Sequence, residues 1–282
     1  MKLTFSAPAK INLTLFLTGL REDGYHLLES VMQTLSLSDT LIFEKIPSGI
    51  LLSCTKESLP CDEKNLCYRA AKMYLNEAGN PGGVKIHLIK CIPDGAGLGG
   101  GSSDAASVLK AMKTLYPADI DLLPLAAKLG ADVPFFLTGG TSLCSGVGEK
   151  IKPLSFPAKN SLFCVVAKPE KGLSTPLVYS LYDQSKKPFS SPMKTKELAL
   201  FEEKDPKKIF PLLQNDLELV AMTCLPEVAN YKDALLSLGA DAAQMSGSGS
   251  SVFGLFTDER KARECAKTLK NKKIEAYFCT LT

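Results

Sequence analysis

The sequence predicts an α+β chain in two domains, and three observations predict it. Runs of period two, which read as strands, and runs of period 3.6, which read as helices, both occur along the chain. Its 282 residues, 45% of them hydrophobic, sit near the length at which one core divides into two. Composition turns richer in proline and lysine over 151–159, which places a boundary there and divides the chain into 1–155 and 156–282.

Composition narrows the classes. Net charge is +3 with no long basic stretch, so no nucleic-acid partner is expected. No apolar run reaches about 18 residues, so no membrane span is expected. The start, Met1-Lys2-Leu3-Thr4-Phe5, enters a strand-like pattern at once and lacks a signal-cleavage region. Nine scattered cysteines form no C-x-x-C pair and read as reduced thiols in a cytoplasmic protein. Only His26 and His87 occur, in no ligand cluster, which argues against zinc. No repeat and no obligate protein partner is evident.

From the N-terminus, Ile11, Leu13, Leu15 and Leu17 alternate with Lys10, Asn12, Thr14 and Phe16 as one strand, with Lys10 and Asn12 on one face. The plainer reading of that face is a solvated one. A polar turn at 19–24 leads to Tyr25 and His26, whose rings suit either loop packing or a flat ligand. Leu27 to Ser36 and Leu41 to Phe43 read as two further strands. Asp62 to Asn65 introduces a helix over 66–78.

Val84 to Ile92 is a strand, and Ala105, Val108, Leu109, Met112 and Tyr116 mark a helix stopped by Pro117. Between them lie Pro93-Asp94-Gly95-Ala96-Gly97-Leu98-Gly99-Gly100-Gly101-Ser102-Ser103. Ser102 and Ser103 stand where an N-cap belongs, and Asp104 suits the positive first turn. Glycines let backbone N–H groups converge on one point, and with a helix N-terminus they form an anion site, usually for phosphate. A flexible turn is the alternative, but glycine this dense at a helix start favours phosphate. The loop is not a Walker P-loop. It contains G-x-G-x-x-G, but no second strand ends in an acidic residue about twenty residues on, so the dinucleotide reading fails.

Leu122 to Leu129 is a helix with Pro124 in its first turn and Gly130 at its end. Asp132, amid Ala131, Val133, Pro134, Phe135 and Phe136, is either a turn aspartate or a functional carboxylate. Thr141 to Ser145 is a strand ending in a hairpin-like turn, and Leu162 to Ala167 another strand. Ser174-Thr175-Pro176 opens the segment holding Tyr179 and Tyr182. The lysine-rich, proline-broken stretch 183–208 is expected to be partly mobile. Asn215-Asp216-Leu217-Glu218 opens or lies within a helix, and 226–238 is a further one. Met245 to Ser251 is a second glycine–serine loop, read from spacing as a hairpin connection. Then come a strand over 252–256, a charged helix over 258–270 and a last strand over 274–278.

The string Pro93 to Ala106 resembles the ATP loop of the GHMP kinase superfamily. Pro8 to Leu13, Ala131 to Phe136 and Ser246 to Gly249 agree with it in order and spacing. Gly24-Tyr25-His26 and Asn215 to Glu218 narrow the resemblance to one branch, over nearly the whole chain. That branch uses ATP to phosphorylate the 2-hydroxyl of a cytidine-diphosphate-bearing methylerythritol, in the non-mevalonate route to isoprenoid precursors. The resemblance implies the two-domain GHMP fold: an N-terminal ATP-binding and catalytic domain like ribosomal protein S5 domain 2, and a ferredoxin-like C-terminal domain, with the active cleft between them.

The resemblance also assigns residues. Lys10 and Asp132 match the catalytic pair, and Asn12 lines the same pocket. Asp94, Gly95, Ala96, Gly97, Leu98, Gly99, Gly100, Gly101, Ser102 and Ser103 match the ATP loop. Tyr25 and His26 match the cytosine-binding pair, and Tyr179, after Thr175-Pro176, the second aromatic. Asp94 and Asp104, the latter often Asn in relatives, depart from the pattern. Mg²⁺ is expected with ATP, with ligands the sequence does not name. The chemistry agrees, because phosphoryl transfer needs positioning and charge stabilisation above all. A kinase for another small alcohol, such as mevalonate or homoserine, is disfavoured, because such substrates have no base to stack on Tyr25, His26 and Tyr179. A non-catalytic nucleotide-binding relative is disfavoured by intact Lys10, Asp132 and loop glycines.

Overall fold

The computed structural model describes residues 2–282. By packing, the chain forms two compact units interleaved along the sequence. One holds the start of the chain to Ala9, Leu37–Ile92 and Gly99–Gly139; the other holds Lys10–Ser36, Pro93–Leu98 and Gly140–Thr282. Strands β1 (Lys2–Asn12) and β3 (His26–Ile46) contribute residues to both.

In the first unit the later part of β3 pairs antiparallel with β5 (Gly83–Ile89), from Thr40 opposite Ile89 to Ile46 opposite Gly83. Strand β4 (Ile50–Cys54) lies parallel to β5 on its other side. Helices α1 (Leu66–Glu77), α2 (Gly100–Leu115), α3 (Leu122–Leu129) and α4 (Val133–Thr138) complete the unit. Asn65 caps α1, its side chain accepting the Cys67 N–H at 2.9 Å. Tyr74 of α1 is fully buried and donates its hydroxyl to the Tyr116 carbonyl at 2.7 Å.

In the second unit β2 (Thr14–Leu20) pairs antiparallel with the first part of β3, across a bulge between Leu17 and Gly19. Strand β6 (Thr141–Gly146) lies antiparallel to β3 and turns into β7 (Lys150–Pro153), which is the expected hairpin. Strand β8 (Phe163–Lys168) is followed by α5 (Thr175–Gln184), α6 (Thr195–Leu198), the two-residue β9 (Gln214–Asn215), α7 (Glu218–Cys224) and α8 (Glu227–Ser237). Then come β10 (Ala242–Met245), β11 (Val252–Phe256), α9 (Glu259–Asn271) and β12 (Glu275–Thr280). Strands β10, β11, β8 and β12 form an antiparallel sheet in that order, with α8 and α9 packed on it. This β-α-β-β-α-β pattern is ferredoxin-like, as expected. Its core joins Val165, Val252 and Phe256 of the sheet to Val228 and Leu235 of α8 and Ala262, Cys265 and Leu269 of α9.

Several expectations are corrected. The strand expected through Leu17 breaks at Leu13, whose N–H donates to the Val31 carbonyl at 2.8 Å, so Lys10 and Asn12 end β1. The two strands expected over 27–43 are one strand, β3, because polar Asp39 does not interrupt it; buried Asp39 accepts the N–H groups of Cys91 and Ile92. Helix α2 begins at Gly100, ahead of the expected serine cap, since the Ser103 N–H already donates to the Gly99 carbonyl at 2.9 Å. Asn215 and Asp216 precede α7, and Asn215 lies in β9. Apart from these corrections, the stretch 183–208, expected to be partly mobile, contains α6 and short 3₁₀ turns, with Phe201 fully buried.

The register of α8 has a direct test. Leu235→Ala, at a fully buried position, is expected to lower stability by about 2–5 kcal/mol in urea unfolding. Leu236→Ala, at a position 42% exposed, should stay within about 0.5 kcal/mol. Equal effects would contradict the helix orientation.

Candidate active site

The end of β1 carries Lys10 and Asn12 on one side of the strand. Lys10 Nζ donates to Asn12 Oδ1 at 2.6 Å, and Asn12 Nδ2 donates to Ser30 Oγ at 2.8 Å. Ser30 Oγ in turn donates to the Thr14 carbonyl. Lys10 is 4% and Asn12 1% exposed, which overturns the solvated-face reading. Burying polar groups is costly unless they bond to one another, and this chain of bonds meets that condition.

Two glycine loops meet beside this strand, within the second unit. The Lys10 N–H donates to the Leu98 carbonyl at 2.9 Å. Ser246 Oγ donates to the Gly97 carbonyl at 3.0 Å, and the Ser251 N–H to the Ala96 carbonyl at 3.2 Å. Gly97 has a left-handed φ of 72°, and a Cβ there would overlap the Ser246 carbonyl. Glycine is required on both counts. Gly247 has φ 57°, and a Cβ on it would stand 3.4 Å from both Lys10 Nζ and Asn12 Oδ1. The second loop does connect β10 to β11, as its spacing suggests, but it also abuts the first loop and the lysine. Ala96 and Leu98 are buried.

Of the residues expected to bind the alcohol, the structure brings several together in the second unit. Thr175, in the first turn of α5, has Oγ1 2.7 Å from Ser248 Oγ of the second loop. His26 Nε2 lies 2.7 Å from Asp183 Oδ1, and its ring centroid is 5.0 Å from that of Tyr179, tilted by 48°. Rings this close are in contact with each other. Tyr25 is 65% exposed beside the turn.

In the first unit Asp132 stands at the N-terminal end of α4, where its carboxylate makes no capping bond. Gly100, Gly101, Ser102 and Ser103 form the first turn of α2. Ser103 Oγ and Asp104 Oδ1 are buried, and among the described residues neither has a hydrogen-bond partner.

Beneath that turn lies a charged cluster that sequence reasoning missed. Lys90 Nζ donates to Asp39 and, at 2.9 Å, to Asp104 Oδ2. The available signal was a lysine at the end of a strand-like run, fourteen residues before an aspartate in the next helix. Burial pushes the Asp104 carboxyl up to about 7; Lys90 opposes this and Asp39 adds to it. Burial alone would lower the Lys90 ammonium, but the carboxylates of Asp104 and Asp39 outweigh it and hold it above its usual range.

Comparison with known proteins places this arrangement. Residues 65–140 match the GHMP kinases N terminal domain, and residues 198–275 the GHMP kinases C terminal domain. A curated 4-diphosphocytidyl-2-C-methyl-D-erythritol kinase of Clostridium botulinum (strain Loch Maree / Type A3) is 43% identical over 275 residues, covering 96% of this chain and 97% of that protein. The chain belongs to the GHMP kinases. Within that family, a crystal structure of 4-(cytidine 5'-diphospho)-2C-methyl-D-erythritol kinase shares 42% identity, with a TM-score of 0.84 over 99% of both chains. Homoserine kinase from Cytophaga hutchinsonii has the same fold at 20% identity, with a TM-score of 0.75 over 99% of this chain and 95% of the other. The two-domain GHMP kinase fold is thus that of this chain.

The buried cluster of this GHMP kinase makes a prediction about pH. The folded state keeps the Asp104 proton from about pH 4 to about pH 7, while the unfolded chain releases it near pH 4. The stability from that proton is therefore full below about pH 4 and is lost as pH rises through about 7. Asp104→Asn removes this dependence, so its melting temperature relative to the parent should climb between pH 4 and pH 8. A constant difference across that range would contradict the raised value.

Proposed function

We propose that this chain transfers the γ-phosphoryl group of ATP to the 2-hydroxyl of 4-diphosphocytidyl-2-C-methyl-D-erythritol. The observation that carries the reading is its 43% identity, over 96% of its length, to a kinase of that name. Lys10, Asp132 and both glycine–serine loops are present in this chain, and the buried Lys10–Asn12 pair adjoins the second loop.

In this reading the first loop, Asp94 to Leu98, and the α2 turn, Gly99 to Ser103, cradle the triphosphate through backbone N–H groups. Asp132 accepts the proton of the attacking hydroxyl. Lys10, held by Asn12, stabilises charge that develops on the transferring group. Tyr25, His26, Thr175 and Tyr179 hold the cytidyl end, where stacking contributes about 1–3 kcal/mol per base. No group of three or more His, Cys, Asp or Glu among the described residues could hold a metal. Mg²⁺ is expected to accompany the nucleotide, where it would neutralise phosphate charge. Within this reading 1–155 is the catalytic domain and 156–282 the ferredoxin-like one, in a cytoplasmic enzyme. Among the described residues no helix is long and apolar enough to cross a membrane.

An ADP-release assay over the cytidyl alcohol, mevalonate and homoserine tests the substrate. Turnover of the first alone is expected, and preference for either of the others would overturn the assignment. Asp132→Asn should cut kcat by about 10²–10⁴ with little change in KM for ATP. A folded variant keeping half its kcat would exclude the base role. Tyr25→Ala should raise KM for the cytidyl alcohol and spare ATP; equal effects on both substrates would make the ring structural.

A further inference from the structure

The segment Asn215 to Glu218 has no role in the site as described, yet its side chains fasten the second glycine loop. Asn215 Nδ2 donates to the Met245 carbonyl at 2.9 Å and to the Gly247 carbonyl at 2.8 Å. Its Oδ1 accepts the Leu217 N–H at 3.0 Å, so the amide has a fixed orientation, with its donors aimed at the loop. Glu218 Oε1 accepts the Met245 N–H at 2.9 Å, and Oε2 pairs with Lys232 Nζ at 2.6 Å. Strand β9 holds Asn215 in place by pairing parallel to β2, with Asn215 opposite Leu15. Asn215 is 7% exposed, so its bonds to the loop carbonyls are shielded from water.

The Gly247 carbonyl thus gripped belongs to the residue that faces Lys10 Nζ and Asn12 Oδ1. We propose that Asn215 is a positioning residue for phosphoryl transfer: it holds the Ser246–Gly247 turn against Lys10 and so fixes where the ammonium points. Glu218 supports the same turn from its other end, at Met245. Neither residue touches the reacting atoms. The inference rests on the role assigned to Lys10 above.

An aspartate at 215 keeps the shape and the Oδ1 acceptor but places a carboxylate oxygen against two carbonyl oxygens. Asn215→Asp should push the turn off Lys10 and lower kcat by at least tenfold per folded molecule, with KM for ATP changed less than twofold. The deciding readout is coupling to Lys10, which a purely structural role would not produce. In a Lys10→Ala background Asn215→Asp should cost less than twofold, because the group it positions is gone. Should Asn215→Asp melt below the assay temperature, Asn215→Ser, which keeps one donor, is measured instead. The same non-additivity is expected at smaller size.

The outcomes separate the two claims. If Lys10→Ala alone keeps its kcat, the role given to Lys10 fails and the positioning role falls with it. If Lys10→Ala is impaired but the residue 215 substitution costs equally in both backgrounds, or costs nothing in either, only the positioning inference is overturned.

Discussion

The site depends on the approach of two glycine-bearing loops to within hydrogen-bonding distance, backbone against backbone. A Cβ at Gly97 would occupy the space of the Ser246 carbonyl, so the contact exists only because that residue has no side chain. Around it, Ser246 Oγ and the Ser251 N–H bond to carbonyls of the first loop. Those carbonyls are turned toward the second loop, which fixes the strand of backbone carrying them. A loop left to itself would have to be ordered by its ligand, at a cost of about 1–2 kcal/mol per residue in backbone entropy. Under the proposed function, ordering it in advance leaves more of the binding energy for the nucleotide.

Several polar side chains are buried in bonded groups within each unit. Lys10, Asn12, Ser30 and Thr14 form one group in the second unit, and Asp39, Lys90 and Asp104 another in the first. Removing one partner from such a group leaves a charge or dipole uncompensated, which for a buried ion pair costs about 3–5 kcal/mol. These groups therefore fix local geometry more than they add net stability. Asp39 shows this well: besides its lysine it binds the two backbone N–H groups of Cys91 and Ile92, where the chain leaves β5 for the glycine loop.

Much of this was legible in the sequence. Periodicity located α1, α3, α8 and α9 to within a residue or two, because each has a cap signal and one apolar face. The glycine loops announced themselves by composition. Lys10 and Asn12 were legible as sharing a strand side but not as buried, since alternation does not tell which face of a sheet meets water when both are covered. The unbroken run of β3 was hidden because Asp39 looks like a breaker until its backbone partners, more than fifty residues away, are known. Lys90 was illegible as an ion-pair member for the same reason. The support given by Asn215 depends on a two-residue strand, too short for any periodic pattern to reveal.

The central claim is that close packing of the two loops builds the nucleotide site, and ATP affinity of Gly97→Ala tests it most directly. Calorimetric titration with a non-hydrolysable ATP analogue, below the variant's melting temperature, should show binding weakened by roughly a hundredfold or more, about 2.7 kcal/mol. A folded Gly97→Ala chain that binds the analogue as tightly as the parent would contradict the account.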